Sequence, residues 1–334
     1  MRPFKSAPRV LVYVDLDLVG DALIKLPLIR ALRQAFPDGE IVWVAGRGPS
    51  AFAGALAPLV TGLLDRVIAH AGWRAAIGPG RPDLILDTQG RLSTLAALAL
   101  LRPRRLVSIA LQYPKPRHLV ARLLALLERA TGVPARPDAP LHLPDATVAL
   151  AASLLPPGPV YIAQAIGAGG RHKAWPRAHH IALARDLAAT GRTPVIILGP
   201  DEHAEHAELA SLLPTARFPR QEALALGHDA GPDLTIALAG RCAAGVAGDC
   251  GGGHMLAASG IALVSLFGPT DPGKFAPSAT RLSVLRAQDF GGGSEMAAIP
   301  VAAVLAALTA IAVPRVKQAS GGKPATGTGL PAEP

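Results

Sequence analysis

Apolar residues in this chain come in short blocks separated by stretches where they recur every three or four positions, the alternation expected of buried strands and amphipathic helices. Arg9 to Val14 reads as the first strand, Asp21 to Phe36 as a helix and Glu40 to Ala45 as the second strand. Leu84 to Leu86 forms the core of a later short strand that opens onto Asp87-Thr-Gln-Gly90, and Leu92 to Leu101 and His118 to Ala130 read as further helices. Seven prolines between Thr131 and Pro159 mark a linker with a short helical stretch inside it. The alternation then starts afresh. Val160 to Ala163, Thr193 to Leu198, Ala243 to Ala247 and Ile261 to Phe267 read as strands, with helices at His179 to Ala189 and Glu202 to Leu213. Residues 282–286 supply a last short strand and 301–313 a closing helix, which is free to pack near the N-terminal half.

Strand-helix alternation predicts an α/β protein with parallel sheets covered by helices. At 334 residues the chain is large enough for two domains. The expected division is 1–155, a first Rossmann-like domain; 156–316, a second; and 317–334, a tail without hydrophobic period that reads as disordered.

Composition narrows the class. Half the residues are hydrophobic but only 4% are aromatic, so the cores are built from Ala, Leu, Val and Ile. Thirty-three Lys plus Arg against 24 Asp plus Glu give a net charge of +9, which favours an anionic partner: nucleotide, phosphorylated glycan, acidic membrane or nucleic acid. Nucleic acid is the weakest of these, because the basic residues are not interleaved with aromatic platforms and no recognition motif appears. Cys242 and Cys250 are too few for a disulfide scaffold or a four-cysteine zinc site, which fits a reducing cytoplasm. The amino terminus runs from basic residues straight into a strand, without the separate apolar core and cleavage site of a signal peptide. The apolar run Met296 to Pro314 is mostly alanine and carries Pro300 and Thr309, so it reads as a packed terminal helix rather than a membrane span.

Candidate chemistry gathers where strands end and helices begin, the position at which open α/β sheets bind ligands. Gly20-Asp21 is the first such junction: the glycine permits close approach, and the carboxylate can either take a proton from a hydroxyl or cap the helix. In Gly167-Ala-Gly-Gly-Arg-His-Lys-Ala-Trp-Pro176, backbone amides, Arg171 and Lys173 can surround a diphosphate, with Pro176 placed to start a helix and Trp175 reading as a packing wedge. Asp201 and Glu202 follow Gly199-Pro200 and can bind ribose hydroxyls or cap the next helix. Asp249-Cys-Gly-Gly-Gly-His254 joins an acid, a glycine nest and a histidine, and two potential ligands do not define a metal site. Gly268-Pro-Thr-Asp-Pro272 is a turn that places Thr270 and Asp271 near the same sheet edge.

Taken together, Val19-Gly-Asp-Ala-Leu-Ile-Lys-Leu-Pro27, Lys173-Ala-Trp-Pro176, Gly248-Asp-Cys-Gly-Gly-Gly-His254 and Phe267-Gly-Pro-Thr-Asp-Pro272 resemble the motifs of the lipopolysaccharide heptosyltransferase family, in order and spacing across roughly residues 9–290. The resemblance implies a GT-B architecture, two Rossmann-like domains with parallel sheets facing a central cleft. It implies an inverting, metal-independent glycosyltransferase with no cofactor, acting on an ADP-linked sugar donor and a lipopolysaccharide or other anionic glycan acceptor. Under it Asp21 is the catalytic base, while Lys173, Asp201 or Glu202, Asp249, Cys250, Gly251 and His254 hold the donor, and Gly20, Arg171, Thr270 and Asp271 line the cleft. The chain departs from the family pattern at Asp15, where a basic residue is common, at Leu16 and Asp17, and at Cys250 in place of Ser or Thr.

Leu101-Arg-Pro-Arg-Arg105, Lys115, Arg117 and Arg122 form a basic surface on the expected acceptor domain, suited either to plain solubility or to peripheral contact with the cytoplasmic face of the inner membrane. Two other classes share the fold. A nucleotide-sugar epimerase or dehydrogenase would need a Gly-x-Gly-x-x-Gly fingerprint and a Tyr-x-x-x-Lys pair, both lacking here, and a silent glycan- or nucleotide-binding scaffold would keep the cleft without turnover.

Overall fold

A computed structural model describes the chain at residues 4, 7–15, 17–70, 72–139 and 141–312, leaving aside the side chain of Arg171. The expected disordered tail at 317–334 and the departure at Leu16 lie outside the described residues.

Among the described residues ten strands form two five-stranded parallel sheets. In the first, β1 (Arg9–Val14), β2 (Glu40–Ala45), β3 (Arg66–Ala69), β4 (Leu84–Asp87) and β5 (Arg105–Ser108) lie in the order β3-β2-β1-β4-β5. In the second, β6 (Tyr161–Ala165), β7 (Thr193–Ile197), β8 (Ala244–Gly248), β9 (Ala262–Phe267) and β10 (Leu282–Arg286) lie in the order β10-β9-β8-β6-β7. Both sheets are covered on two faces, which is why the central strands read as continuous apolar blocks. Val10, Val12 and Val14 of β1 join Leu28, Leu32, Leu123 and Leu126 on one side, while Leu11 and Tyr13 meet Val42, Val44, Trp73 and Leu98 on the other. The expected two-sheet α/β architecture is the one observed.

Several expectations are corrected in detail. The helix expected over Asp21 to Phe36 is two, Val19–Leu23 and Leu26–Ala35. Pro27 sits in the first turn of the second, where its missing N–H breaks no intrahelical bond, and Lys25 at the break turns its ammonium inward. β3 and β5 went unread because each is a four-residue edge strand opening with an arginine, too short to show a period. The helices Pro219–Ala225 and Pro232–Ala239 also went unread. Within the expected linker, the helix Asp145–Leu154 contributes Ala151 and Leu154 to the core under the second sheet. The closing helix Val301–Ile311 buries Val304 and Leu308 against the second sheet, not near the first domain. Trp175 is a buried wedge whose Nε1 donates to the Ile299 carbonyl at 3.0 Å.

The chain order reverses at β1/β4 in one sheet and at β6/β8 in the other, and the strand ends there carry the glycine-acid junctions. The helix Val19–Leu23 packs on the helix Gly251–Ala258 of the second domain, so these two carboxyl edges face each other.

Candidate active site

The helix Val19–Leu23 projects from the end of β1 and carries Asp21 in its first turn, exposed and with no side-chain cap hydrogen bond at the helix start. Its entry is fixed from beneath. Asp17 is fully buried, accepts from Trp43 Nε1 at 2.6 Å and is ion-paired with Lys25 Nζ, which also donates to the Asp21 carbonyl at 2.9 Å. Asp17 is therefore a structural anchor for the turn presenting Asp21. Asp15 accepts from Arg47 at 3.0 Å and Arg91 at 2.8 Å, so at the position where the family pattern has a basic residue this chain gathers two guanidinium groups around an acid. Gly20 faces open space: a Cβ built there meets nothing within 4 Å.

Across the cleft, the loop after β6 ends in a short turn, Arg171–Lys173. Lys173 Nζ reaches Asp249 Oδ2, at the end of β8, at 3.2 Å. Arg171 opens that turn, but its side chain lies outside the described set. Cys250 is the N-cap residue of the helix Gly251–Ala258, and burial raises its thiol pKa. The glycines let this helix start hard against the sheet: a Cβ at Gly252 would stand 2.8 Å from Ala165 Cβ, and one at Gly253 would stand 3.0 Å from the Gly248 carbonyl. The resulting free N–H groups and positive helix end suit an anion. His254, one turn in, has its pKa lowered to about 4 by burial and the neighbouring His118, against the pull of Asp249 and Asp21. It is thus a neutral imidazole at pH 7.

Asp21, Gly20, Lys173, Asp249, Cys250, Gly251 and His254 line one open cleft of about 500 Å³. Gly169, Cys250 and Gly251 connect it to a second, mostly apolar lobe bordered by Gly167, Gly199, Asp201, Glu202 and Arg220. Glu202 holds the N-cap position of the turn His203–Glu205, but its side chain makes no capping hydrogen bond there. Its carboxylate folds back over the loops after β6 and β7, so close that a Cβ at Gly167 or Gly199 would stand 2.7 or 2.5 Å from Oε2. Burial, aided by Asp201 and Glu205, raises its pKa. Asp201 lies at the rim, exposed.

Thr270 and Asp271 border neither lobe. Asp271 caps the Gly273 amide at 2.9 Å and pairs with Arg117 Nη2 of the first domain at 2.8 Å, while His118 Nε2 lies 3.0 Å from the Ala276 carbonyl, so this segment ties the domains together. Of the expected basic surface, Arg104 pairs with Asp83, Arg105 bonds the Ala130 carbonyl and Arg122 bonds the Pro116 carbonyl at 3.0 Å. Sequence reasoning missed Arg220, whose guanidinium bonds the Leu198 and Ala230 carbonyls beside Glu202 and whose pKa is lowered by burial. A single arginine in a short helix carries no spacing signal that would have found it. Among the described residues no group of three or more His, Cys, Asp or Glu is arranged to hold a metal ion.

The fold has counterparts among solved structures. Glycosyl transferase family 9 from Veillonella parvula DSM 2008 superposes with a TM-score of 0.71 at 17% identity over 92% of this chain and 99% of that one. The Escherichia coli ADP-heptose lps heptosyltransferase II gives 0.65 at 20% identity over 91% and 98% of the two chains. E. coli heptosyltransferase WaaC with ADP gives 0.64 at 21% over 91% and 100%. No curated protein matches the sequence. Residues 96–296, more than half of the chain, match glycosyltransferase family 9 (heptosyltransferase). With the two-sheet fold and its facing carboxyl edges, that match makes this chain a glycosyltransferase belonging to glycosyltransferase family 9, the heptosyltransferase family.

Proposed function

We propose that this protein transfers a sugar, heptose from an ADP-heptose donor, to a hydroxyl of a lipopolysaccharide core or related anionic glycan, with inversion at the anomeric carbon and without a metal ion, at the cytoplasmic face of the inner membrane. The observation that carries the reading is the meeting of Asp21 from one domain with Lys173, Asp249 and His254 from the other around a single cleft. Attack by the acceptor oxygen forms the new bond to the anomeric carbon as the bond to the donor phosphate breaks, and the electron pair leaves with the nucleoside diphosphate. Asp21 takes the hydroxyl proton. Lys173 and the amides at the start of the helix Gly251–Ala258 face the charge that develops on the leaving diphosphate, and Asp249 orients the Lys173 ammonium. His254, neutral at pH 7, contributes hydrogen bonding rather than charge. Glu202, with Asp201 beside it, accepts from the ribose hydroxyls, and the apolar lobe takes the base. E. coli WaaC, whose fold this chain shares, has been solved with ADP-2-deoxy-2-fluoro heptose.

The test is calorimetric titration with ADP, UDP, GDP and CMP. Selective ADP binding is expected, weakened about tenfold or more in Lys173→Ala, the range for losing a charge-assisted contact. Binding of none of the four would remove the donor site and leave a scaffold; selective UDP or GDP binding would change the donor.

A further inference from the structure

From Thr88 to Leu127, forty consecutive residues carry seven Lys and Arg and not one Asp or Glu. They build the β4–β5 edge of the first domain, and large apolar side chains stand out from it: Leu92 is 74% exposed, Leu100 80%, Leu111 60% and Tyr113 91%. On the helix Leu92–Ala99 the outward positions Leu92, Ala96 and Ala99 continue into Leu100 at helical spacing, so its solvent stripe holds no charge, while Leu98 on the opposite side is fully buried. Leu92 and Leu111 share a corner. Gly90, with φ of +73°, packs so closely on the next turn that a Cβ would stand 2.7 Å from Ile109 Cγ2 and 3.2 Å from the Ala110 nitrogen.

Basic residues predominate at the rim. Lys115 is exposed, and Arg129 spends one donor on the Leu111 carbonyl at 3.1 Å and leaves its head in solvent. The acids nearby are already engaged. Asp87 is buried against Ser108 Oγ at 2.6 Å, Asp15 lies between Arg47 and Arg91, Asp271 holds Arg117, and Glu128 accepts from the Ala135 amide at 3.1 Å. Exposed apolar groups that cluster inside a polar rim mark an interaction surface. No helix among the described residues is long and apolar enough to cross a membrane.

We propose that this corner docks on an anionic bilayer, with Leu92, Leu111 and Tyr113 entering the headgroup boundary and Lys115 and Arg129 meeting lipid phosphates. Exposed cations around protruding apolar side chains complement such a surface. The proposal rests on the acceptor reading above in one respect: Leu119, which follows this corner in the chain, lines the cleft beside Asp21, so docking would bring a membrane-held glycan toward Asp21.

Flotation of the full chain with vesicles tests it. The protein is expected to float with an equal mixture of phosphatidylcholine and phosphatidylglycerol, to stay behind with phosphatidylcholine alone, and to be released by high salt. Leu111→Ser with Tyr113→Ser, and separately Lys115→Glu with Arg129→Glu, are expected to lower the floated fraction about tenfold. Thermal melting confirms that the variants fold, so the result stands whether or not nucleotide binds. Equal flotation on both vesicle types, or binding untouched by both variants, overturns the proposal. So does a dimer in sedimentation that the Leu111→Ser, Tyr113→Ser variant dissolves, with no flotation, which would assign the corner to a second copy of the chain.

Discussion

Replacing Asp17 by Asn should do more damage than the substitution's size suggests. Asp17 is fully buried, the Lys25 side chain paired with it is only 10% exposed, and Trp43 Nε1 donates to its second oxygen at 2.6 Å. Asn keeps the shape and an acceptor for Trp43 but removes the only charge within the pair that offsets the Lys25 ammonium. Breaking a buried ion pair from one side typically costs about 3–5 kcal/mol, because the remaining charge stays desolvated. The partial exposure of Lys25 puts the expectation at the lower end, about 3 kcal/mol, or a fall in melting temperature of roughly 6–12 °C for a domain of this size. Converting Lys25 to Met in the same chain removes the stranded charge, and the double variant should recover to within about 1 kcal/mol of the original. Urea unfolding followed by the fluorescence of Trp43 and Trp73, both in the first domain, gives the numbers. A single variant within about 0.5 kcal/mol of the original, the usual range for surface changes, or a double variant no better than the single, would refute the reasoning. Because Lys25 also holds the Asp21 carbonyl at 2.9 Å, Asp17→Asn is expected to lower the transfer rate while nucleotide affinity is kept.

Three further outcomes follow from the geometry. Asp21→Asn should reduce transfer by about 10²–10⁴-fold with nucleotide affinity unchanged, and an equal loss of affinity by calorimetry would place Asp21 in donor binding instead. Gly20→Ala should fold with equal or slightly greater stability, since its Cβ meets open space and alanine favours a helix, yet raise the acceptor KM where substrate would fill that space; an unaltered KM would show that the acceptor passes elsewhere. Acid should destabilise the second domain. Burial holds His180 at about 3 and His254 at about 4, both below the ordinary histidine value, so the unfolded chain binds more protons as pH falls. The stability from keeping them neutral is full above about pH 6.5 and is lost as pH drops toward 4 and then 3, at up to about 1.4 kcal/mol per pH unit for each. His180→Gln should flatten that slope in urea midpoints measured from pH 7 to pH 4, and an unchanged slope would remove His180 from the account.

The sequence by itself determined the class of the molecule and the neighbourhood of its cleft. A strand buried on both faces must be apolar throughout, and a parallel strand must be followed by a crossover, so β1, β2, β6, β7, β8 and β9 and the junctions after them are legible as local patterns. Asp21, Lys173, Asp249 and His254 were found because each sits in such a junction, and parallel topology then obliges all junctions of one sheet to share an edge. What only the tertiary structure decided are the matters that depend on a distant partner. The break at Lys25 answers Asp17 and Trp43, and the inward turn of Glu202 depends on two glycines whose missing side chains leave it room. Arg117 finds Asp271 154 residues away, and Arg220 finds the Leu198 and Ala230 carbonyls from a helix that shows no motif. Periodicity encodes whether a side chain is buried. Where a charged group points is set by the nearest group that can offset its desolvation, and only the assembled fold delivers that group.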